Sequence, residues 1–127
     1  MLADHTPAGF FIAVDDIDRA RAFYEGILGL RCQGFDGFAL KFAAGPINLR
    51  IVTPPARVAA DYTVFGWESA DIGADVAALA ARGVAFIRYP FFADSQDAQG
   101  IWTAPNGDKV AWFRDPDGNT LSLAQHA

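Results

Sequence analysis

The feature that most constrains this chain is a plan that occurs twice. A short apolar run ends at aspartate, a segment at helical spacing ends at glycine, and strand-like pieces follow. In the first copy Gly9 to Val14, GFFIAV, is rich in aromatic and branched residues and reads as a strand. Asp15 or Asp16 then caps a helix, and Asp18 adds negative charge near the positive end of its dipole. Ile17, Ala20, Phe23, Tyr24, Ile27 and Leu28 recur at steps of three and four, which predicts one buried stripe, with Gly29 as its stop. RCQGF, GFALKFA and INLRIV follow, separated by Phe35-Asp36-Gly37 and Ala44-Gly45-Pro46 as turns.

Thr53-Pro54-Pro55 ends this run because proline cannot donate to a ladder, and 54–61 reads as a connector. The second copy begins with the strand YTVFGWES. Asp71 caps the helix IGADVAALAAR, Ile72, Val76 and Leu79 share one face, and Gly83 terminates it. Asp16-Ile17 and Asp71-Ile72 therefore open equivalent helices. VAFIRYPF predicts a strand, followed by a loop through Asp94 to Gly100, a short IWTAP segment, KVAWFRD and TLSLAQ. Asp115-Pro116-Asp117-Gly118 has proline and glycine where a type I turn favours them. The expected fold class is α+β: two βαβββ modules, about 8–53 and about 62–126, in a single domain over 1–127.

A length of 127 residues suits one domain with one ordinary core. A lone cysteine, Cys32, cannot form an internal disulfide, and MLADHTPAGFF lacks a basic stretch followed by a long apolar run, so a cytoplasmic location is expected. No apolar stretch approaches the roughly 20 residues of a membrane span. A net charge of −5 with no basic run argues against nucleic-acid binding. A hydrophobic content of 52% with 11 Phe suggests an aromatic-lined cavity or apolar surface hidden in an oligomer.

Asp16 through Phe23-Tyr24 to Leu28-Gly29-Leu30, together with AWFRDPDGNTLSLAQ at the far end, resembles the vicinal-oxygen-chelate superfamily of glyoxalases, bleomycin resistance proteins and extradiol dioxygenases. The resemblance covers nearly the whole chain. It implies two βαβββ modules forming a cup-shaped, half-open mixed sheet, helices on the convex face, a ligand in the concavity, and a homodimer. Metal-using members of that superfamily place ligands at the start of each module's first strand and on its last strand. Here those places fall to Gly9, to Asn48 or Arg50, to Val64 and to Ser122. None is a histidine or a carboxylate, so no metal and no other cofactor is expected.

Strand alternation assigns the faces. Ile47, Leu49 and Ile51 read as helix-facing, as do Ala111, Phe113, Leu121 and Leu123. That directs Asn48 and Arg50, and likewise Val110, Trp112, Arg114, Thr120 and Ser122, into the concavity, joined by Phe11, Ala13, Val64, Gly66, Glu68, Phe86 and Arg88. The ligand-binding set read from the sequence is Phe11, Asn48, Arg50, Glu68, Phe86, Trp112, Arg114 and Ser122. An arginine fork holds a carboxylate or phosphate while its face stacks on rings, so a small aromatic or anionic compound is the expected ligand. Rim salt bridges from Arg50 and Arg114 to Glu68, Asp115 or Asp117 are the structural alternative, and core packing alone would explain Phe11 and Trp112. Trp102 reads as a lid or a dimer contact, and His5 and His126 as solvated termini.

Three functions remain open on the sequence. The first is a metal-free binding protein like the bleomycin-resistance branch. The second is an enzyme of the superfamily, a lyase, isomerase or dioxygenase, whose metal is lost or held by atypical donors such as His126 and Glu68. The third is an inactive accessory subunit. No catalytic residue is assigned.

Overall fold

The computed structural model describes residues 2–127, with nothing to be said of the Ala93 side chain. The chain divides into two compact units, one ending at Val58 and the other beginning at Ala59. In the first unit β1 (Gly9–Ala13), β2 (Cys32–Phe35), β3 (Ala39–Ala44) and β4 (Ile47–Val52) form a sheet of order β1-β4-β3-β2. β1 runs parallel to β4, and the other pairs are antiparallel. In the second unit β5 (Thr63–Glu68), β6 (Trp102–Thr103), β7 (Lys109–Arg114) and β8 (Thr120–Gln125) take the corresponding order β5-β8-β7-β6, again with the outer pair β5 and β8 parallel. The duplicated α+β plan is therefore present. No helix among the described residues is long and apolar enough to cross a membrane.

Each helix starts where a side chain caps it. Asp16 accepts from the Arg19 amide at 3.0 Å to open α1 (Ile17–Arg21), and Asp71 accepts from the Ala74 amide at 3.1 Å to open α2 (Ile72–Ala81). Both expected stops, Gly29 and Gly83, have positive φ, 75° and 93°. The first helix departs from the expected single stripe, because from Ala22 to Ile27 it widens into a π-helix, with the Leu28 amide donating to the Phe23 carbonyl at 2.9 Å. A wider turn separates neighbouring side chains by a smaller angle. Adjacent Phe23 and Tyr24 both reach the core, their rings edge to face at 5.2 Å.

Alternation places the cores as expected. Leu49 and Ile51 on β4, with Leu40 and Phe42 on β3, are fully buried, and α1 packs on β4. Ala111, Phe113, Leu121 and Leu123 are buried beneath α2, which packs on β7 and β8. The connector is claimed from both ends: Arg57 makes a two-pronged ion pair with Asp15 at 2.8 and 3.1 Å, and the Thr120 hydroxyl donates to the Ala60 carbonyl at 2.9 Å.

VAFIRYPF departs from the expectation of a strand. Only Phe86 bridges to Phe113, and the Ile87 amide donates to the Trp112 carbonyl at 2.8 Å, before Pro90 opens a 3-10 helix over Pro90–Ser95. Proline has no amide to offer the ladder. The rest of the β7 edge is taken by β6, at Trp102 and Thr103.

Candidate functional site

On the first sheet the face away from α1 carries Phe11, Asn48 and Arg50, as the sequence predicted. Arg50 lies between Phe11 on β1 and Lys41 on β3, directly opposite each in the ladder. Lys41 was not anticipated, although the buried Leu40 and Phe42 on either side already imply its direction. Gln33, Lys41, Asn48 and Arg50 line a depression of about 200 Å³. Like charges directly opposite on a sheet repel. Among the described residues neither Lys41 nor Arg50 forms an ion pair. Asp36 feels both charges, but its Oδ1 accepts from the Phe38 and Ala39 amides at 2.9 and 2.8 Å, and those amides are the main reason its carboxyl titrates below the usual range.

On the second sheet the face away from α2 holds Trp112, Arg114 and Ser122, again as expected, and Arg114 is exposed without an ion pair among the described residues. Its neighbour Asp115 turns inward. Asp115 Oδ1 accepts from the Asp117 and Asn119 amides at 2.9 Å each and Oδ2 from the Asn119 side chain at 2.8 Å, so this carboxylate locks the 115–118 turn.

Thr120 keeps the expected face, opposite Arg114 and two residues from Ser122, but it is fully buried there, its hydroxyl held by Ala60. Two residues expected on that face, Phe86 and Arg88, lie elsewhere. The bridge from Phe86 to Phe113 puts it on the helix side, ring to ring at 5.5 Å and beside Val76, Ala80 and Val84. Arg88 lines that same helix-side groove and donates to the Asp97 carbonyl.

An aromatic cluster lies over the second sheet, of which only Trp112 and Trp102 were legible beforehand. Trp102, opposite Val110 on the open face, joins Trp112, and the 3-10 turn lays Phe92 across both, stacked 4.6 Å from Trp102 and 5.4 Å from Trp112. Tyr89 meets Trp112 edge-on at 5.3 Å. Gln96, 5% exposed, pins this segment: it accepts from the Tyr89 amide at 2.7 Å and donates to the Ile87 and Gly100 carbonyls at 2.9 Å each.

Glu68 and His126 come together at one end of the second sheet. His126 Nε2 lies 2.9 Å from Glu68 and Nδ1 3.3 Å from Asp108, and these carboxylates raise the imidazole pKa above its ordinary range, Glu68 foremost. Both ring nitrogens are engaged, so neither offers a free lone pair to a metal. Val64 sits in a bulge of β5, Gly9 has no side chain, and Ser122 supplies only a hydroxyl. Among the described residues no three His, Cys, Asp or Glu are grouped to hold a metal ion. The residues at the superfamily's ligand positions do not fit a metal.

A model of the Glyoxalase/Bleomycin resistance protein/Dioxygenase superfamily matches residues 4–123. The chain belongs to that superfamily. Solved members that it resembles include TnmS3, an antibiotic binding protein from Streptomyces sp. CB03234, with 28% identity, a TM-score of 0.70, and 94% of this chain and 93% of that one covered. A glyoxalase/bleomycin resistance protein from the same Streptomyces strain has 28% identity and a TM-score of 0.69, covering 94% of this chain and all of that one (100%). A lactoylglutathione lyase from Agrobacterium tumefaciens, at 19% identity and a TM-score of 0.70 over 93% and 91% of the two chains, shares the fold alone. No curated protein matches the chain.

Proposed function

We propose that this superfamily member binds a small aromatic or anionic compound without a metal or other cofactor. The observation that carries the reading is the Lys41 and Arg50 pair, side by side with no ion-pair partner among the described residues, next to the exposed ring of Phe11. An anion between the two cations relieves their repulsion, and Asn48 adds a polar contact. On the second unit Trp112, Arg114, Ser122 and Glu68 offer ligand surface of their own. The likeness to an antibiotic binding protein supports binding rather than turnover. A thermal-shift screen of aromatic carboxylates, phosphate esters and antibiotics on EDTA-treated protein tests this. At least one compound should raise the melting temperature by several degrees, equally with and without EDTA; stabilisation that requires an added divalent metal would overturn it.

The same reading includes a homodimer, supported by exposed rings such as Phe35 and Phe38, 50% and 72% exposed. Sedimentation at micromolar concentration should show twice the chain mass. A monomer throughout would count against it.

A further inference from the structure

We propose that the second unit carries a binding site for an alkylated organic cation, such as a trimethylammonium group, formed by the aromatic cluster and Asp61. The site is independent of the anion reading for the first sheet. Its geometry is a corner between two stacked pairs of rings. Tyr89 and Phe91 stack at 5.1 Å with their planes 27° apart, Trp112 and Phe92 stack at 5.4 Å with theirs 20° apart, and Tyr89 stands at 84° to Trp112 and 80° to Phe92. A depression of about 180 Å³ opens against this corner, and Asp61, Tyr62 and Thr63 line its remaining side.

Three properties of the lining select a cation. Aromatic faces carry negative quadrupole charge, and several faces around one space attract a positive group more than a neutral one of equal size. The Asp61 carboxylate is exposed and makes no hydrogen bond or ion pair among the described residues, so the only formal charge in the lining is negative and uncommitted. Arg114, two residues beyond Trp112 on the same face of β7, is not part of the lining. Tyr62 and Phe91, 74% and 75% exposed, leave the rings at the mouth without cover. A strongly hydrated small cation suits these walls poorly because little there replaces its water. An alkylated ammonium gives up little hydration and gains both the ring faces and the carboxylate.

Choline is the probe, with its uncharged carbon isostere dimethylbutanol as the control, followed through the indole N–H signal of Trp112 in the NMR spectrum. Choline should shift that signal saturably, dimethylbutanol should bind at least about tenfold more weakly, and Asp61→Asn should weaken choline about tenfold with the rest of the spectrum unchanged. Phe91→Leu, which keeps apolar volume but removes a ring face, should weaken choline and leave dimethylbutanol unaffected. Equal binding of the two probes, or full choline affinity in Asp61→Asn, would overturn the proposal. So would a Trp112 signal that moves with protein concentration rather than with choline, since a second copy would then cover the rings.

Discussion

The two units repeat one strand order and one helix-side core, and they differ on the faces turned away from their helices. The first unit leaves that face open, with a cation pair beside an exposed phenylalanine. The second lays the 3-10 turn after Pro90 over its own face and stacks Phe92 on two tryptophans. The contrast separates what alternation decides from what it does not. Which residues go under a helix follows from period-two patterning in both units. What the opposite face presents depends on how an irregular segment folds back, as the one carrying Phe92 does in the second unit.

The sharpest way to break this contrast is to release the segment. Gln96→Ala removes one acceptor and two donated bonds from partly or fully buried backbone partners at Tyr89, Ile87 and Gly100, so it should cost about 2–3 kcal/mol and weaken the near-ultraviolet circular dichroism of the stacked tryptophans. An unchanged aromatic signal would show that the segment is held by its rings alone.

A smaller effect compares glycines on the two first strands. A Cβ on Gly66 would collide with the Ser122 hydroxyl and come within 2.9 Å of its carbonyl oxygen, whereas one on Gly9 would find its nearest neighbour, the Asn48 carbonyl oxygen, at 3.7 Å. Gly66→Ala should therefore destabilise by about 1–3 kcal/mol in urea unfolding, and Gly9→Ala by less than about 0.5 kcal/mol. Equal costs would mean that the second sheet adjusts as freely as the first.

The smallest effect belongs to the exposed His126 clamp. Because Glu68 and Asp108 raise its pKa above the ordinary 6.5, the charged clamp supports the folded state below that value and loses its contribution as pH rises through the folded pKa. An NMR titration should place His126 above 6.5, and Glu68→Gln should move it back down. Titration of His126 at the ordinary value in the unaltered chain would show the clamp open in solution.

The division between legible and illegible follows the same physical line. Asp16, Asp71 and the 115–118 turn were readable because caps and turns are local chemistry. Arg50, Trp112 and Arg114 were placed correctly because strongly apolar neighbours fixed their direction. Phe86 was misplaced because Phe86 and Ile87 are both apolar, which leaves the parity open until Phe113 settles it. The contacts of Tyr89, Phe91 and Phe92 could not be read at all, since a segment without period carries no signal of where it lies. Lys41 was readable from GFALKFA and was overlooked because it was not set beside Arg50 across the ladder.

The most direct test of the central claim is a calorimetric titration of the best aromatic anion from the screen, in EDTA, with the unaltered chain and with Arg50→Ala. Binding should be indifferent to EDTA and about thirtyfold weaker in Arg50→Ala, the loss of one charge-assisted contact of about 2 kcal/mol, with the unfolding midpoint unchanged. Unaltered affinity in Arg50→Ala, or binding that appears only when a divalent metal is restored, would contradict it.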